Sequence, residues 1–280
     1  MRRSAINMLR FLSVATAACT ASNAMAQRNP GPDDFVLDEI VVTATKRPVG
    51  LQDVPIALSV LAGDKIEAMG MAELEDLALY VPNFHVGEAA ITPLLFIRGV
   101  GSGMNPGFEQ SVGTFVDGVY SGRSVNSRAP FLDVERVEVL KGPQLTLFGK
   151  NTIAGAINIT TAQPTEEFEG YIDAALESEV DGVRVSAVLS GPLSNTVRVR
   201  VAARKSDDEG WMTNTAVGGV GGPEEDNLAI RGTLEWDATD SLVFTLKAGR
   251  SRFDFLGRHQ VISIANPTAT FLYRMYGDAS

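Results

Sequence analysis

The second half of the chain contains five successive segments in which two faces of opposite polarity alternate, and this pattern constrains the fold most. Val197, Val199 and Val201, for example, alternate with Arg198 and Arg200. Such a period of two predicts β-strands whose two faces meet different surroundings. About ten residues per segment fits an antiparallel transmembrane β-barrel, although a soluble sandwich would also alternate. The apolar positions lie within residues 168–176, 183–189, 197–201, 228–236 and 242–248.

The connections between these segments alternate in length. Residues 191–195 and 237–241 are short links, whereas residues 205–227 are long, acidic and glycine-rich. Transmembrane barrels have short periplasmic turns and long outer loops, so the pattern favours a barrel whose first strand rises from the periplasm. The acidic runs at 207–209 and 224–226 lack the spacing of a calcium-binding loop, and we expect them to lie in a solvated loop.

The stretch DVERVEVLKGPQLTLFGKNTIAGAINITT predicts two strands joined by a turn of helix. Apolar and polar residues alternate at 137–139 and again at 157–159. Between them, a tight turn at Gly142 leads into a short helix, with Pro143 just inside its start and Gly149 just past its end.

Two nucleotide-binding interpretations of this region fail. Six residues separate Gly142 from Gly149, and Asn151 follows Lys150, so the spacing and the hydroxyl of a phosphate-binding loop are absent. The glycines at 99–103 run into Asn-Pro-Gly, which cannot open the helix that a bound pyrophosphate requires.

The stretch ERVEVLKGPQLTLFGKNTIAGAINITT resembles the plug domain of TonB-dependent outer-membrane receptors, with Leu145 where the family more often has a small residue. LQDVP, VPNF, FIRGVG and VGTFVDGVY resemble further plug motifs in the family order. Together they cover about residues 50–162. The resemblance implies an α+β plug domain followed by antiparallel transmembrane β-barrel strands. The matching motif residues are Arg98, Gly99, Asp117, Gly118, Glu138, Gly142, Pro143 and Gly149.

Local patterns place further elements within the plug domain. Alternation predicts a strand over 54–60, and apolar spacing predicts helices over 64–69 and 72–80. Residues 94–97 form an apolar run typical of a buried strand, and Asp-Gly at 117–118 between apolar pairs is a strong hairpin signal.

Two charged residues adjoin or lie within predicted buried strands. Arg98 follows one strand, and Glu138 lies within another. Because an unpaired buried charge is very costly, we expect Arg98 to pair with Glu138 or with a charge on the barrel. The alternative is that both head groups reach solvent.

The segment EIVVTAT is rich in β-branched residues and follows a tail containing Pro30, Pro32, Asp33 and Asp34. An unpaired strand in such a tail is a template for pairing with another chain, although it could also be an ordinary first strand of the next domain. The segment resembles a TonB box, and the resemblance implies strand pairing with TonB. The TonB-binding residues would be Glu39, Ile40, Val41, Val42, Thr43 and Ala44.

The first 26 residues have the pattern of a secretory signal peptide. A basic start precedes a short apolar run, and Ala24-Met25-Ala26 predicts cleavage before Gln27. We therefore divide the chain into a signal peptide (1–26), a flexible tail with the TonB box (27–49), a plug domain (50–162) and barrel strands (163–280).

Composition argues against several functional classes. The formal net charge is −10, which disfavours nucleic acid as a partner. The single cysteine, Cys19, lies in the predicted signal peptide, and the two histidines, His85 and His259, lack ligand spacing. We expect no metal site, no cofactor and no catalytic residues, so the chain is not predicted to be an enzyme.

The sequence is therefore expected to be the N-terminal part of a TonB-dependent receptor in the Gram-negative outer membrane, with its plug and N-terminus facing the periplasm. The resemblance implies import of a scarce solute, most often a ferric siderophore. The expected partners are TonB with its inner-membrane energising complex, outer-membrane lipid, and a small-molecule or metal-chelate substrate.

One alternative is a truncated plug-bearing protein that engages TonB without transporting. Plugged barrels of this type have about 22 strands. The residues after the plug suffice for five strands or a sixth, so we expect residues 1–280 alone not to form a transport-competent barrel.

Overall fold

The computed structural model describes residues 41–42, 49–50, 53–89, 92–103, 109–122, 130–177, 182–210, 212–214, 220–222 and 224–256. These residues form a mixed α/β region, which we call the plug region, followed by a long antiparallel sheet, which we call the meander. The predicted signal peptide, most of the predicted TonB box and His259 lie outside the described residues.

The plug region contains short strands and three short helices among its described residues. They are β1 (Val41–Val42), β2 (Val49–Gly50), β3 (Leu58–Ala62), α1 (Gly63–Ala68), α2 (Leu74–Leu77), β4 (Phe84–Ala89), β5 (Thr92–Ile97), β6 (Val100–Gly101), β7 (Val112–Val116), β8 (Val119–Ser121), β9 (Val134–Lys141), α3 (Leu145–Phe148) and β10 (Gly155–Thr161).

The described strands after the plug region are longer. They are β11 (Glu169–Glu177), β12 (Gly182–Ser194), β13 (Val197–Asp208), β14 (Met212–Asn214), β15 (Val220–Gly222), β16 (Glu224–Thr239) and β17 (Leu242–Leu256). The meander consists of β11, β12, β13, β16 and β17 in that spatial order, each antiparallel to the next.

The central sheet of the plug region runs in the order β3-β9-β10-β7-β8 within the described ranges. All its pairings are antiparallel except β10 with β7, which is parallel. Strands β9 and β10 lie in the interior of this sheet, and they confirm the two strands that the alternating runs predicted. A second described sheet pairs β4, β5 and β6.

The main apolar core lies on one face of the central sheet. Helices α1 and α2 and strand β5 cover that face. Val137 and Ile157 of the middle strands and Leu77 and Leu95 opposite them are fully buried. The plug region thus buries a core of its own. The other face of the sheet packs Phe115, Leu140 and Ala156 together.

Several predicted elements differ from the structure at their boundaries. The first strand begins at Leu58 rather than near residue 54, and the second helix covers only Leu74–Leu77 of the predicted 72–80. That helix begins where Asp76 Oδ2 accepts the backbone N–H of Glu73 at 3.1 Å. This capping carboxylate replaces the first turn that the apolar spacing alone predicted.

The meander confirms the predicted alternation. Ile172, Leu189, Val201, Leu234 and Leu246 lie on its exposed apolar face. Residues of the other parity include the polar and charged side chains that contact the plug region, and we call this side the polar face. It also holds Val188, Ala202 and Ala229, which pack with Leu132 of the plug region in a small apolar cluster. Its buried members include Ser186, Ser190, Arg200 and Thr233.

The prediction of a long loop over residues 205–227 is wrong at both ends, because strands occupy them. Strand β13 continues to Asp208 and β16 begins at Glu224, so the acidic runs pair across the ladder as Asp207 with Asp226 and Asp208 with Glu225. Lys205 bonds the Asp226 carboxylate, which offsets part of the repulsion. Within the described segments, no helix is long and apolar enough to cross a membrane.

Candidate functional site: the contact between plug region and meander

The strongest polar contact joins the residue before β9 to the middle of the meander. The Asp133 carboxylate accepts two hydrogen bonds from Arg200, from Nε to Oδ2 and from Nη2 to Oδ1, each at 2.7 Å. Both side chains are buried, at 4% and 8% exposure. Two parallel bonds between a guanidinium and a carboxylate are the strongest ion-pair geometry in proteins.

Backbone geometry aims Asp133 at the meander. Its φ of 49° is in the left-handed region, which Asp tolerates better than most residues. The same turn directs main-chain carbonyls towards the polar face. Arg231 Nη2 donates to the carbonyls of Leu132 at 2.7 Å and Asp133 at 2.8 Å, and Arg204 donates to the carbonyl of Phe131.

Three arginines from two adjacent strands therefore clamp the segment Phe131–Asp133. Arg200 also bonds Glu169 of β11 at 2.8 Å, so the buried ion pair has one partner on the meander itself. Because the guanidinium groups satisfy carbonyls as well as a carboxylate, the contact fixes the position of the backbone and not only of one side chain.

A second polar contact lies at the β7–β8 hairpin. Asp117 and Gly118 have φ values of 49° and 79°, as a type I′ turn requires, and this confirms the predicted hairpin. The Asp117 carboxylate accepts the backbone N–H of Thr161 at 3.0 Å and its hydroxyl at 2.8 Å. Lys247 Nζ lies 3.1 Å from Asp117 Oδ1, which ties the hairpin to β17.

The expected pairing of Arg98 with Glu138 or with a charge on the barrel is wrong for the described residues. Glu138 is fully buried, but it accepts hydrogen bonds from Arg136 Nε at 3.1 Å and Asn158 Nδ2 at 3.0 Å. Arg136 shares a face of β9 with Glu138, and Asn158 lies directly opposite on β10. Both partners thus lie on β9 itself or on the adjacent strand, and neither is the predicted Arg98.

Arg98 instead lies exposed at a turn, with a φ of 53°. Its backbone N–H donates to Asn83 O at 2.8 Å. No carboxylate of the described part of the chain is within 4 Å of its guanidinium. Burial, and then the nearby Arg98 charge, lower the pKa of Lys141. The electrostatic neighbour of Arg98 is therefore another cation.

The remaining motif residues shape the turns around β9 and α3. Gly99, Gly142 and Gly149 have φ values of 79°, 110° and 89°, which only glycine adopts readily. Gly149 ends α3, as predicted. Pro143 does not begin it, because Gln144 is the N-cap and the helix starts at Leu145, whose side chain is about half exposed.

The predicted TonB box lies mostly outside the described residues. Only Val41 and Val42 are described, and they pair antiparallel with Gly50 and Val49. The expectation of an unpaired strand is therefore wrong for these two residues, although the ladder is only two pairs long. Glu39, Ile40, Thr43 and Ala44 are not described, and their binding to TonB stays a prediction.

A polar cavity of about 190 Å³ separates the connection between α1 and α2 from the ends of β12, β13 and β16. Asp76, Arg184, Asp208 and Glu225 are among its lining residues. Contact between the plug region and the meander is thus incomplete on this side and polar where it occurs. Among the described residues, no three His, Cys, Asp or Glu side chains are grouped so that they could hold a metal ion.

Sequence reasoning missed the residues that join the two parts. The alternating pattern assigns Arg200 to a polar strand face without indicating a partner, and Asp133 is only the first residue of the stretch that predicts two strands. A signal was present, since arginines recur at even spacing on a strand face predicted to line a protein-filled interior. Their partners could not be inferred, because main-chain carbonyls carry no sequence signature.

Comparison with known families decides the identity of the plug region. Residues 50–156 match the model of the TonB-dependent Receptor Plug Domain. Residues 50–156 therefore form a TonB-dependent receptor plug domain. The matched residues lie within the plug domain predicted at 50–162.

Known bacterial proteins resemble the chain over more residues than the plug-domain match covers. The pesticin receptor of Yersinia pestis is 31% identical over 183 residues, covering 64% of this chain and 27% of that protein. The iron-regulated outer membrane virulence protein of Vibrio cholerae serotype O1 is 27% identical over 211 residues, covering 71% and 32%.

A solved structure extends the likeness to the fold. The ferric yersiniabactin uptake receptor FyuA from Yersinia pestis superposes with a TM-score of 0.65 at 28% identity. The match covers 71% of this chain and 32% of that one, so it includes plug domain and meander. The meander is therefore the equivalent of barrel strands in a TonB-dependent receptor. The chain spans about a third or less of the length of these relatives.

Proposed function

We propose that the protein is a receptor in the outer membrane of Gram-negative bacteria that imports a ferric siderophore, using energy delivered by TonB. The observation that carries this proposal is the clamp on Phe131–Asp133. It seats a plug domain with its own core against the polar face of a sheet whose other face is apolar.

The nature of the clamp suits a plug that must move. Breaking hydrogen bonds and ion pairs in the presence of water costs little net free energy, because water replaces the lost partners. An apolar interface of the same size would lose its burial energy instead. The apolar part of the contact is small, since only Leu132 packs there, on Val188, Ala202 and Ala229 of the meander. The plug domain can therefore leave the polar face and return while its own apolar core stays intact.

TonB would act on the chain N-terminal to this plug domain. A strand at residues 39–44 would pair with TonB by edge addition and transmit a pulling force to β3 and the central sheet. No covalent step is needed for such transport, so we assign the protein a transport role and not an enzymatic one.

The substrate class follows from the relatives. The solved structure with the likeness described above is a ferric yersiniabactin uptake receptor, and the relative from Vibrio cholerae is named for its regulation by iron. An iron(III)–siderophore chelate is the substrate best supported for this protein.

The test is growth of an iron-starved strain that lacks its own siderophore receptors and carries the complete gene of this protein. We expect at least one iron-loaded siderophore to restore growth, and deletion of the TonB gene to abolish the rescue. Growth that no siderophore restores, or rescue that persists without TonB, would contradict the proposal.

A further inference from the structure

Among the described residues, five cations on the polar face of the meander receive partners from the plug domain. Arg184 donates to the carbonyl of Gly70 but also pairs with Glu177 of the meander. The other four are Arg200, Arg204, Arg231 and Lys247, and we call them the basic track. Arg200 and Lys247 pair with Asp133 and Asp117, whereas Arg204 and Arg231 donate to carbonyls of Phe131–Asp133. Apart from Glu169, which bonds Arg200, and Ser186, which accepts from Arg204 Nε at 3.0 Å, these partners all lie on the plug domain.

The strand register leaves the track without charged neighbours directly across the ladder. Arg204 lies between Ser186 and Ala229, and Arg231 lies between Ala202 and Gly249. Arg200 lies between Ser190 and Thr233, and Lys247 is also opposite Thr233. The nearest carboxylates of the meander are Glu169, which bonds Arg200, and Asp173, which lies opposite Ser186 and so one strand beyond Arg204. Among the described residues, neither Arg204 nor Arg231 forms an ion pair with a carboxylate of the meander.

Arg198 of the same face behaves differently. Its guanidinium pairs with Glu235 at 3.1 Å and Asp237 at 3.0 Å, both on β16. Departure of the plug domain would leave this arginine neutralised. Arg198 is thus neutralised within the meander, whereas the cations of the basic track depend on partners from the plug domain.

The track is extended along the strands. Arg200 and Lys247 share one level, Arg231 lies two residues further along, and Arg204 lies four residues beyond Arg200. At about 3.3 Å per residue, the track covers roughly 13 Å. Asp208 and Glu225 bound it at one end, and Arg198 with its carboxylates bounds it at the other.

We propose that the basic track becomes the surface of the import path when the plug domain moves, and that it selects a substrate with net negative charge. The inference rests on the proposed function for the movement of the plug domain. Once Phe131–Asp133 leaves, Arg204 and Arg231 face the lumen without a carboxylate partner, and an anionic chelate replaces the carbonyls and carboxylates that they lost. In a path with low-dielectric walls, such a row raises the local concentration of anions.

Ion selectivity of the opened receptor tests the proposal without knowledge of the substrate. The complete receptor is placed in a planar bilayer, and urea on the plug side unfolds the plug domain while the barrel, whose backbone groups are bonded internally, persists. The chloride-to-potassium permeability ratio follows from the reversal potential in a KCl gradient. We expect a ratio above unity that falls by about threefold or more in R204Q/R231Q.

Matched variants distinguish charge from packing. R204K/R231K keeps both charges but not the hydrogen-bonding fork, so it should restore the ratio. R184Q/R198Q removes two arginines of the same face that each pair with a carboxylate of the meander, and it should leave the ratio unchanged. A cation-selective wild type, or an equal change in R184Q/R198Q, would overturn the proposal.

Uptake by whole cells is the second measurement, and it also decides the matter if urea opens no conductance. The probes are a trianionic iron(III) tris-catecholate and a neutral iron(III) trihydroxamate. R204Q/R231Q should lower the maximal uptake rate of the anion by about threefold or more while its binding to de-energised cells is unchanged. Equal loss for both chelates, or uptake of the neutral chelate alone, would refute the anion preference. Wild-type cells that take up neither probe, and whose growth no other siderophore restores, would contradict the proposed function, while the bilayer ratio would still test the track.

Discussion

Asp133 shows how much of the contact between plug domain and meander depends on one residue. The turn at this left-handed residue presents its carboxylate and the three carbonyls of Phe131–Asp133 to three arginines of the polar face. The clamp needs both the carboxylate and the turn. Arg200 bonds the carboxylate, whereas Arg204 and Arg231 bond main-chain carbonyls. Loss of the carboxylate removes the charged centre and leaves the carbonyl contacts in place.

Asp133→Asn is expected to weaken the seating of the plug domain by about 3 kcal/mol, because it leaves buried Arg200 with only Glu169. Urea unfolding of the plug domain in the complete receptor measures the change. Asp237→Asn is the matched control, since Arg198 keeps Glu235, and we expect a loss below about 1 kcal/mol. Equal losses in the two variants would show that the Asp133 pair has no special role.

Arg98→Ala is expected to change the stability of the plug domain by less than about 0.5 kcal/mol, because its guanidinium is exposed. Glu138→Ala is the contrasting variant. It removes the shared partner of Arg136 and Asn158 inside the sheet and should cost about 3 kcal/mol. The same urea titration compares the two, and a large loss in Arg98→Ala would restore the hypothesis of a charged partner.

At the scale of elements, strands were predicted more accurately than helices. Alternation at 137–139 and 157–159 predicted β9 and β10, and the Asp-Gly pair predicted the turn of β7–β8, because both signals are local. Helix α2 is shorter than its apolar spacing predicted, since the Asp76 cap is a side-chain contact. The clamp on Phe131–Asp133 was not predictable, because it joins residues about 70 to 100 positions apart through main-chain carbonyls.

Helix α1 begins against β9 with no space for a side chain. A Cβ added to Gly63 would overlap the backbone carbonyl of Val134. Gly63→Ala should therefore destabilise the plug domain by about 2 kcal/mol or more, since backbone must shift. Gly103→Ala serves as the control because no heavy atom lies within 4 Å of its added Cβ. Thermal unfolding would refute the close contact if both variants melted together.

At the scale of the whole molecule, a strand near the N-terminus and a polar contact at the meander must cooperate. The proposed function requires that force applied at residues 39–44 reaches the clamp through the plug domain. The central sheet is the rigid element between them, because β9 and β10 form its middle and β3 pairs directly with β9.

Val42→Pro tests the first step of this path. Proline removes a backbone donor and restricts φ, so pairing with TonB should be lost. Cross-linking to TonB and siderophore uptake are expected to fall to background, while the amount of receptor in the outer membrane is unchanged. Asp34→Pro, in a tail that already contains two prolines, should retain both activities. Unchanged cross-linking in Val42→Pro would place the TonB contact elsewhere.

The stacked rings of Trp236 and Phe244 also have a consequence for the depth of the sheet in the bilayer. Their centroids are 5.6 Å apart on the exposed apolar face, next to the short turn between β16 and β17. Aromatic side chains at a strand end settle among lipid head groups. Apolar residues then continue along β16 as far as Leu228, before Asp226.

The apolar span from Trp236 to Leu228 measures about 26 Å along the strand and roughly 20 Å along the membrane normal at a tilt of about 40°. On β17 charge returns two same-face positions sooner, at Arg250 opposite Ile230, and the long stem of this arginine reaches the head groups from below. This side of the barrel therefore fits a thin hydrocarbon layer, and a thicker one must compress around it.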